Sequence, residues 1–238
     1  MIPELSYMPP DRDPDDPGRG PPLTGSEVFD PRFLRDRVRE QPDDWRTWFR
    51  LGYRLLEQCS HEPAADALKE AARLAPDNGL AHYLLGIALC REQRQYEART
   101  SFVRATQLRP ADPGPWRLLG ELCWRAECWA SAAEALSAAA RLEPTGEIYW
   151  QLGVCLDQLN RDREAVVAFE EAVRLKRNHL PALLALYHLA RRHDELDVAR
   201  GHLETLFRYN PVRARELMEG YREPVHRRRF EVPSAEDA

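Results

Sequence analysis

Cysteine and histidine are the residue types in this chain best suited to metal binding or nucleophilic chemistry. The five cysteines are Cys59, Cys90, Cys123, Cys128 and Cys155. Cys123 and Cys128 are five residues apart, as are His188 and His193, and neither pair indicates a zinc site. We therefore expect no metal ion and no cofactor. Because the cysteines lie in predicted helices or at their ends, we expect buried or partly buried free thiols in a reducing cytosol.

The short motifs of common catalytic sites are also missing from the sequence. The metalloprotease motif H-E-x-x-H does not occur, and the glycines of the pattern described below lie within predicted helices rather than in a phosphate-binding loop after a strand. A stack of helices offers no strained strand-to-helix turn for a nucleophilic serine. We predict that the protein is not an enzyme.

The cysteines and histidines named above lie within a sequence pattern that repeats about every 34 residues. Each unit carries a ring-bearing or apolar residue, then Leu-Gly, an apolar residue, alanine, a bulky apolar residue, alanine and proline. In the first unit these are Trp48, Leu51, Gly52, Leu55, Ala64, Leu68, Ala71 and Pro76. The pattern restarts at His82, Trp116, Tyr149 and Leu183. Arg177 replaces the proline of the fourth unit, and Tyr187 replaces the glycine of the fifth.

Within a unit, apolar residues recur at spacings of three and four, which predicts two amphipathic helices. Proline cannot continue a helix, so it ends the second helix of the unit. The glycine inside the first helix costs about 1 kcal/mol relative to alanine, which a helix tolerates where a neighbour must approach closely. One unit cannot bury both of its faces, so we expect the units to stack into one continuous core.

This pattern resembles the tetratricopeptide repeat over residues 45–213. The resemblance implies an all-α fold, a right-handed α-solenoid of antiparallel helix pairs. The five repeats would span residues 45–78, 79–112, 113–145, 146–179 and 180–213. We expect residues 30–43 and 214–222 to form capping helices, the first of which begins with Asp30 as N-cap and Pro31 at the first helical position.

The two ends of the chain differ in composition from the repeats. Residues 1–29 are rich in proline, aspartate and glycine, which predicts disorder, and residues 223–238 form a polar tail. We find no secretory signal and no apolar stretch near the about 18 residues that span a membrane. The net charge is −5. These features favour a cytoplasmic protein, and the strong preference for arginine over lysine favours a GC-rich, bacterial genome.

In proteins similar to this one, the first helix of each pair lines a concave groove, and the resemblance implies which side chains point into it. The implied partner-binding residues are Phe49, Tyr53, Tyr83, Ile87, Arg91, Arg117, Glu121, Trp124, Arg125, Trp150, Val154, His188, Arg191 and Arg192. They form an aromatic lane beside a cluster of arginines, a combination typical of binding hot spots. The clamp by which some members of the family hold a C-terminal carboxylate is absent, because its basic and amide positions carry other residues.

These observations predict a non-catalytic adaptor or scaffold. Its partner would be a peptide or helix of another protein with an apolar anchor and acidic flanks. The alternative is a stable structural subunit of a larger bacterial assembly of the envelope, motility or secretion type. A helical repeat that binds nucleic acid is less favoured, because the chain is acidic overall and has no repeating basic stripe.

Overall fold

The computed structural model describes residues 30–212, 214 and 215 of the chain. These residues form eleven α-helices: α1 (Pro31–Glu40), α2 (Trp45–Glu57), α3 (His61–Leu74), α4 (Gly79–Arg91), α5 (Gln95–Leu108), α6 (Pro113–Arg125), α7 (Trp129–Leu142), α8 (Gly146–Gln158), α9 (Asp162–Leu175), α10 (Leu180–Arg192) and α11 (Leu196–Tyr209). The described residues contain no strand, which confirms the predicted all-α class. Both predicted tails, and the expected closing helix beyond residue 215, lie outside the described residues.

Consecutive helices pack as pairs, and each pair packs on the next. The pairs are α2 with α3, α4 with α5, α6 with α7, α8 with α9, and α10 with α11. Helix α1 packs on α2, in front of the first pair. Contact between α10 and α11 is less extensive than in the other pairs. This agrees with the sequence of the last unit, where Tyr187 and Leu206 replace smaller residues and are themselves buried.

Each pair from α2 to α9 closes over the glycine of its first helix. A Cβ atom on Gly52 would lie 2.5 Å from Cγ of Leu68, and one on Gly86 would lie 2.6 Å from Cε1 of Phe102. Both distances are shorter than side chains tolerate, so the bulky residue of the second helix occupies the space that a side chain would need. The close approach expected from the glycines is therefore a contact within a pair.

The two helices of a pair begin in different ways. The first helices are capped by side chains that accept a backbone N–H, namely those of Asp44, Asn78, Asp112, Thr145 and His179. The second helices have no such cap and follow a turn with one residue of positive φ: Cys59, Gln93, Glu127, Asn160 and Asp194. In one of these turns, the N–H of Arg94 donates to the carbonyl of Leu89 at 2.9 Å, which closes the first helix.

The proline near the end of a unit also contacts the unit that follows. The indole Nε1 of Trp48 donates to the carbonyl of Pro42 at 2.8 Å, and that of Trp116 donates to the carbonyl of Pro110 at 3.1 Å. These hydrogen bonds account for the interval of six residues from Pro42 to Trp48 and from Pro110 to Trp116.

The cysteines differ from the expectation in one respect. Cys123 and Cys155 are buried, and burial raises the pKa of the Cys155 thiol to about 12. Cys59 and Cys128, however, are exposed, because they lie in the turns between two helices of a pair rather than on a packed helix face.

Candidate functional site

The first helices of the second, third and fourth pairs, α4, α6 and α8, enclose a cavity of about 370 Å³. We call the side of the stack on which they lie the first-helix face. The cavity is lined by Ile87, Cys90, Arg91, Phe102, Leu118, Glu121, Trp124, Arg125 and Gln151. Only Phe102 comes from a second helix. The site thus depends on three consecutive units, so no single repeat could form it.

Five of the predicted binding residues meet at this cavity: Ile87, Arg91, Glu121, Trp124 and Arg125. Arg91 and Arg125 are exposed, and neither forms a hydrogen bond or an ion pair with another residue in the described part of the chain. Two arginines of the predicted cluster therefore lie at the cavity. No carboxylate of the described residues neutralises their charge.

The charges around the cavity are unevenly distributed. The carboxylate of Glu121 accepts a hydrogen bond from Nη1 of Arg117 at 2.9 Å, so this acidic residue of the lining has its counter-ion already. Burial raises the pKa of the Cys90 thiol, although Arg125 and Arg91 act on it in the opposite direction. Both arginines thus direct a positive field at the cavity lining, which favours an anionic ligand.

Aromatic rings extend from the cavity along the first-helix face. The ring centroids of Trp124 and Trp150 are 6.0 Å apart at an interplanar angle of 63°. Trp150 also lies 6.0 Å from the ring of His179, the residue that caps α10. Only Trp124 of these three lines the cavity; Trp150 packs on it, and His179 packs on Trp150.

The predicted aromatic residues of the first two units lie elsewhere. Phe49 packs edge-on against Trp45 at 6.4 Å. Tyr53 is only 6 % exposed, and Tyr83 packs against the core ring of Phe102 at 6.2 Å. Burial raises the pKa of Tyr53 and of Tyr83. These three rings therefore contribute to packing and do not line the cavity, although Tyr83 lies against Phe102 of the cavity wall.

The predicted residues near the C-terminal end form a separate group. Nη1 of Arg192 lies 2.7 Å from Oδ1 of Asp157, and the His188 ring lies 5.3 Å from that of Tyr187. Val154 packs on the core of the fourth and fifth pairs, and Arg191 is half-buried. None of these residues lines the central cavity.

Sequence reasoning missed Leu118 and Gln151, which line the cavity from equivalent positions of α6 and α8. The repeat gave little signal for Gln151, because the equivalent residue is Arg50 in the first unit, Leu84 and Leu118 in the next two, and Ala185 in the fifth. A polar residue at this position is not confined to the fourth unit, so the sequence alone did not single Gln151 out.

The described residues contain no group of three or more His, Cys, Asp or Glu side chains arranged to hold a metal ion. None of the helices formed by these residues has the length and apolar character needed to cross a membrane.

A stack of consecutive helix pairs is the architecture of α-solenoid repeat proteins. The tetratricopeptide repeat profile matches residues 49–114 and 146–179. These two segments are therefore tetratricopeptide repeats, as the pattern of glycine, alanine and proline predicted. No curated protein sequence matches it significantly.

Solved structures share this fold at low sequence identity. YrrB, described as a tetratricopeptide repeat protein with an unusual peptide-binding site, is 18 % identical with a TM-score of 0.69, and the match covers 78 % of this chain and 97 % of YrrB. MamA (residues 41 to the end) from Desulfovibrio magneticus RS-1 is 22 % identical with a TM-score of 0.58, and the match covers 84 % and 99 % of the two chains. At this level of identity the likeness concerns the fold.

Proposed function

We propose that this protein is a non-catalytic adaptor or scaffold that binds a segment of a partner protein at the cavity between α4, α6 and α8. One observation carries the proposal: the exposed guanidinium groups of Arg91 and Arg125, which have no partner among the described residues, border a cavity whose other walls are largely apolar. Apolar walls accept an anchoring side chain, and arginines donate forked hydrogen bonds to carboxylates. The partner segment would therefore have an apolar anchor with acidic flanks.

The family gives general support to this proposal. Tetratricopeptide repeats are protein-interaction modules, and the YrrB structure is described by its peptide-binding site. A permanent place in a larger assembly is the alternative, in which the same face would be covered by a subunit rather than by a transient ligand.

Charge reversal at the cavity tests the proposal. We expect Arg91→Glu combined with Arg125→Glu to abolish binding of a library of synthetic peptides in which an apolar residue stands between pairs of aspartates. The mirror library, with lysines in place of aspartates, should not bind the wild-type protein. Because isolated surface charges are worth about 0–1 kcal/mol, the variant should keep its melting temperature.

A matched control carries the same change of charge away from the cavity. Arg163 and Arg177 are exposed on and after α9, and the double reversal Arg163→Glu with Arg177→Glu should leave peptide binding intact. Equal loss in both double variants would mean that total charge governs binding, and the assignment of the binding site to the cavity would be wrong.

Tight binding of oligonucleotides with a steep dependence on salt would favour the nucleic-acid alternative. Self-association of the isolated chain that buries the cavity would favour the assembly alternative.

A further inference from the structure

Two buried polar atoms among the residues that line the cavity have no hydrogen-bond partner. They are Nε1 of Trp124 and Oε1 of Gln151, and within the described residues nothing donates to the second or accepts from the first. Gln151 is only 8 % exposed, and both residues line the cavity between α4, α6 and α8. Most buried polar groups in native proteins are hydrogen-bonded, so an unsatisfied donor and an unsatisfied acceptor at one cavity call for a physical explanation.

The chemistry of the two atoms restricts the ligand. An indole nitrogen can only donate a hydrogen bond, and a carboxamide oxygen can only accept one. A bound group that satisfies both of these atoms must therefore accept from Trp124 and donate to Gln151. A carboxylate only accepts, so it would leave the Gln151 oxygen unsatisfied. A hydroxyl group has a donor and an acceptor on the same atom and can satisfy both.

The walls of the cavity restrict the ligand further. Ile87, Leu118 and Phe102 are apolar, and the volume of about 370 Å³ lies within the range of about 300–1,000 Å³ typical of ligand pockets. The side chain of a serine or threonine would leave most of this space empty, which forfeits dispersion contacts. A phenol ring contributes a large apolar area together with a polar tip.

We propose that the anchor residue bound in this cavity is a tyrosine of an acidic segment. Its ring lies against the apolar walls, its hydroxyl oxygen accepts from Nε1 of Trp124, and its hydroxyl hydrogen is donated to Oε1 of Gln151. Both protein atoms are enclosed in the unliganded protein, so binding requires the Trp124 ring and the Gln151 carboxamide each to turn about its last side-chain torsion, for which the energy is broad and shallow. Arg91 and Arg125 bind the acidic flanks. This inference rests on the proposed function and specifies the ligand of the same site.

Three acetylated and amidated pentapeptides test it, each with two aspartates on either side of a central tyrosine, phenylalanine or glutamine. We expect wild-type protein to bind the tyrosine peptide about tenfold more tightly than the phenylalanine peptide, because a hydrogen bond lost at a buried site costs about that factor. Of the three peptides, only the tyrosine peptide should strongly shift the indole N–H resonance of Trp124. The resonance is assigned by its absence from the spectrum of Trp124→Phe.

Gln151→Met removes the carboxamide and nearly conserves the volume of the side chain. The variant should fold normally, since an unpartnered buried amide is replaced by an apolar group. Its preference for tyrosine over phenylalanine should fall to about threefold or less, whereas Gln95→Met, a matched change at an exposed position of α5, should retain the full preference.

The outcomes separate this inference from the proposed function. If no peptide binds wild-type protein, the proposed function fails. If tyrosine and phenylalanine peptides bind equally, and charge reversal at Arg91 and Arg125 weakens both, the proposed function stands and the tyrosine assignment is overturned. Tighter binding of the glutamine peptide than of the tyrosine peptide would also overturn it, because a carboxamide offers a donor and an acceptor as well.

Discussion

Arg91, Arg125 and Arg192 each end the first helix of a repeat, yet only Arg192 is held by carboxylates of the described chain. Nη1 of Arg192 lies 2.7 Å from Asp157 and 3.4 Å from Asp162, so it joins the fifth unit to the fourth. His193 strengthens the same junction, because its Nε2 lies 2.6 Å from Asp162. At the central cavity the equivalent arginines have no such partner.

The preceding unit accounts for the difference, and the closer of its two carboxylates is that of Asp157. Asp157 precedes Arg192 by 35 positions, and the residues at that interval before Arg125 and Arg91 are Cys90 and Leu56. Where the preceding unit supplies a carboxylate, the arginine links two repeats. Where it supplies a thiol or an alkyl group, the charge remains available to a ligand. Equivalent positions of a repeat can therefore serve the fold in one unit and binding in another.

The largest expected effect concerns the packing beneath the cavity. In Gly120→Leu, the new Cβ would lie 2.7 Å from Cγ and 3.3 Å from the backbone nitrogen of Leu136. Overpacking of this kind costs about 1–3 kcal/mol of the free energy of unfolding, and nearest-neighbour coupling should spread the damage to the second and fourth units. Chemical denaturation followed by circular dichroism measures the loss. An unchanged unfolding midpoint would show that the central pairs do not close over their glycines.

Cys90→Asp should give Arg125 an ion-pair partner of the kind that Asp157 provides for Arg192. The new carboxylate would stand 35 residues before Arg125, next to its guanidinium group, and would neutralise it. We expect the affinity for acidic peptides to fall about tenfold, as measured by calorimetry, because a positive charge is masked and a negative one is added. Cys59→Asp, which makes the same change at an exposed turn, should bind as the wild type does. Unaltered binding by Cys90→Asp would argue that Arg125 does not contact the ligand.

The helix pairs could be predicted from sequence because their signals are local and recur. Asp30 and Pro31 start α1 as expected, since a cap depends on residues within one turn. The cavity could be predicted only in part. The unpaired state of Arg125 depends on the residue 35 positions earlier, and this became evident only once the contact between successive first helices was known.

Gln151 shows a second limit of sequence reasoning. Its helix position was predicted, but the groove positions carried over from the family did not include it. Whether a glutamine at such a position is satisfied depends on side chains from other units, and among the described residues none donates to Oε1 of Gln151. Local pattern indicates where a polar residue lies along the helix, whereas its hydrogen bonds depend on the packing of the stack.

A smaller effect of opposite sign is expected in the last pair. Gly201 lies inside α11, and nothing would lie within 4 Å of a Cβ built on it. Gly201→Ala should therefore raise the free energy of unfolding by about 1 kcal/mol, because alanine has the higher helix propensity. Gly120→Ala is the matched comparison and should lower stability. If both alanine variants stabilised the protein, the contrast between the central and last pairs would be wrong.

The smallest effect belongs to the junction itself, and it tests whether Arg192 serves the fold rather than a ligand. Asp157→Asn removes the closer of the two carboxylates, while Asp162 still holds Arg192 at 3.4 Å and His193 at 2.6 Å. We expect the free energy of unfolding to fall by about 0.5 kcal/mol at low ionic strength, typical of a partly exposed ion pair, and hardly at all in 1 M salt, where the screening length falls to about 3 Å.

Asp66→Asn on α3, an exposed aspartate far from the junction, should show neither the loss nor the salt dependence. Because Asp157 lies outside the cavity lining, binding of the acidic pentapeptides should be unchanged. A marked gain in their affinity would mean that a released Arg192 competes for the ligand, and the separation of the two arginine groups into binding and structural roles would then fail.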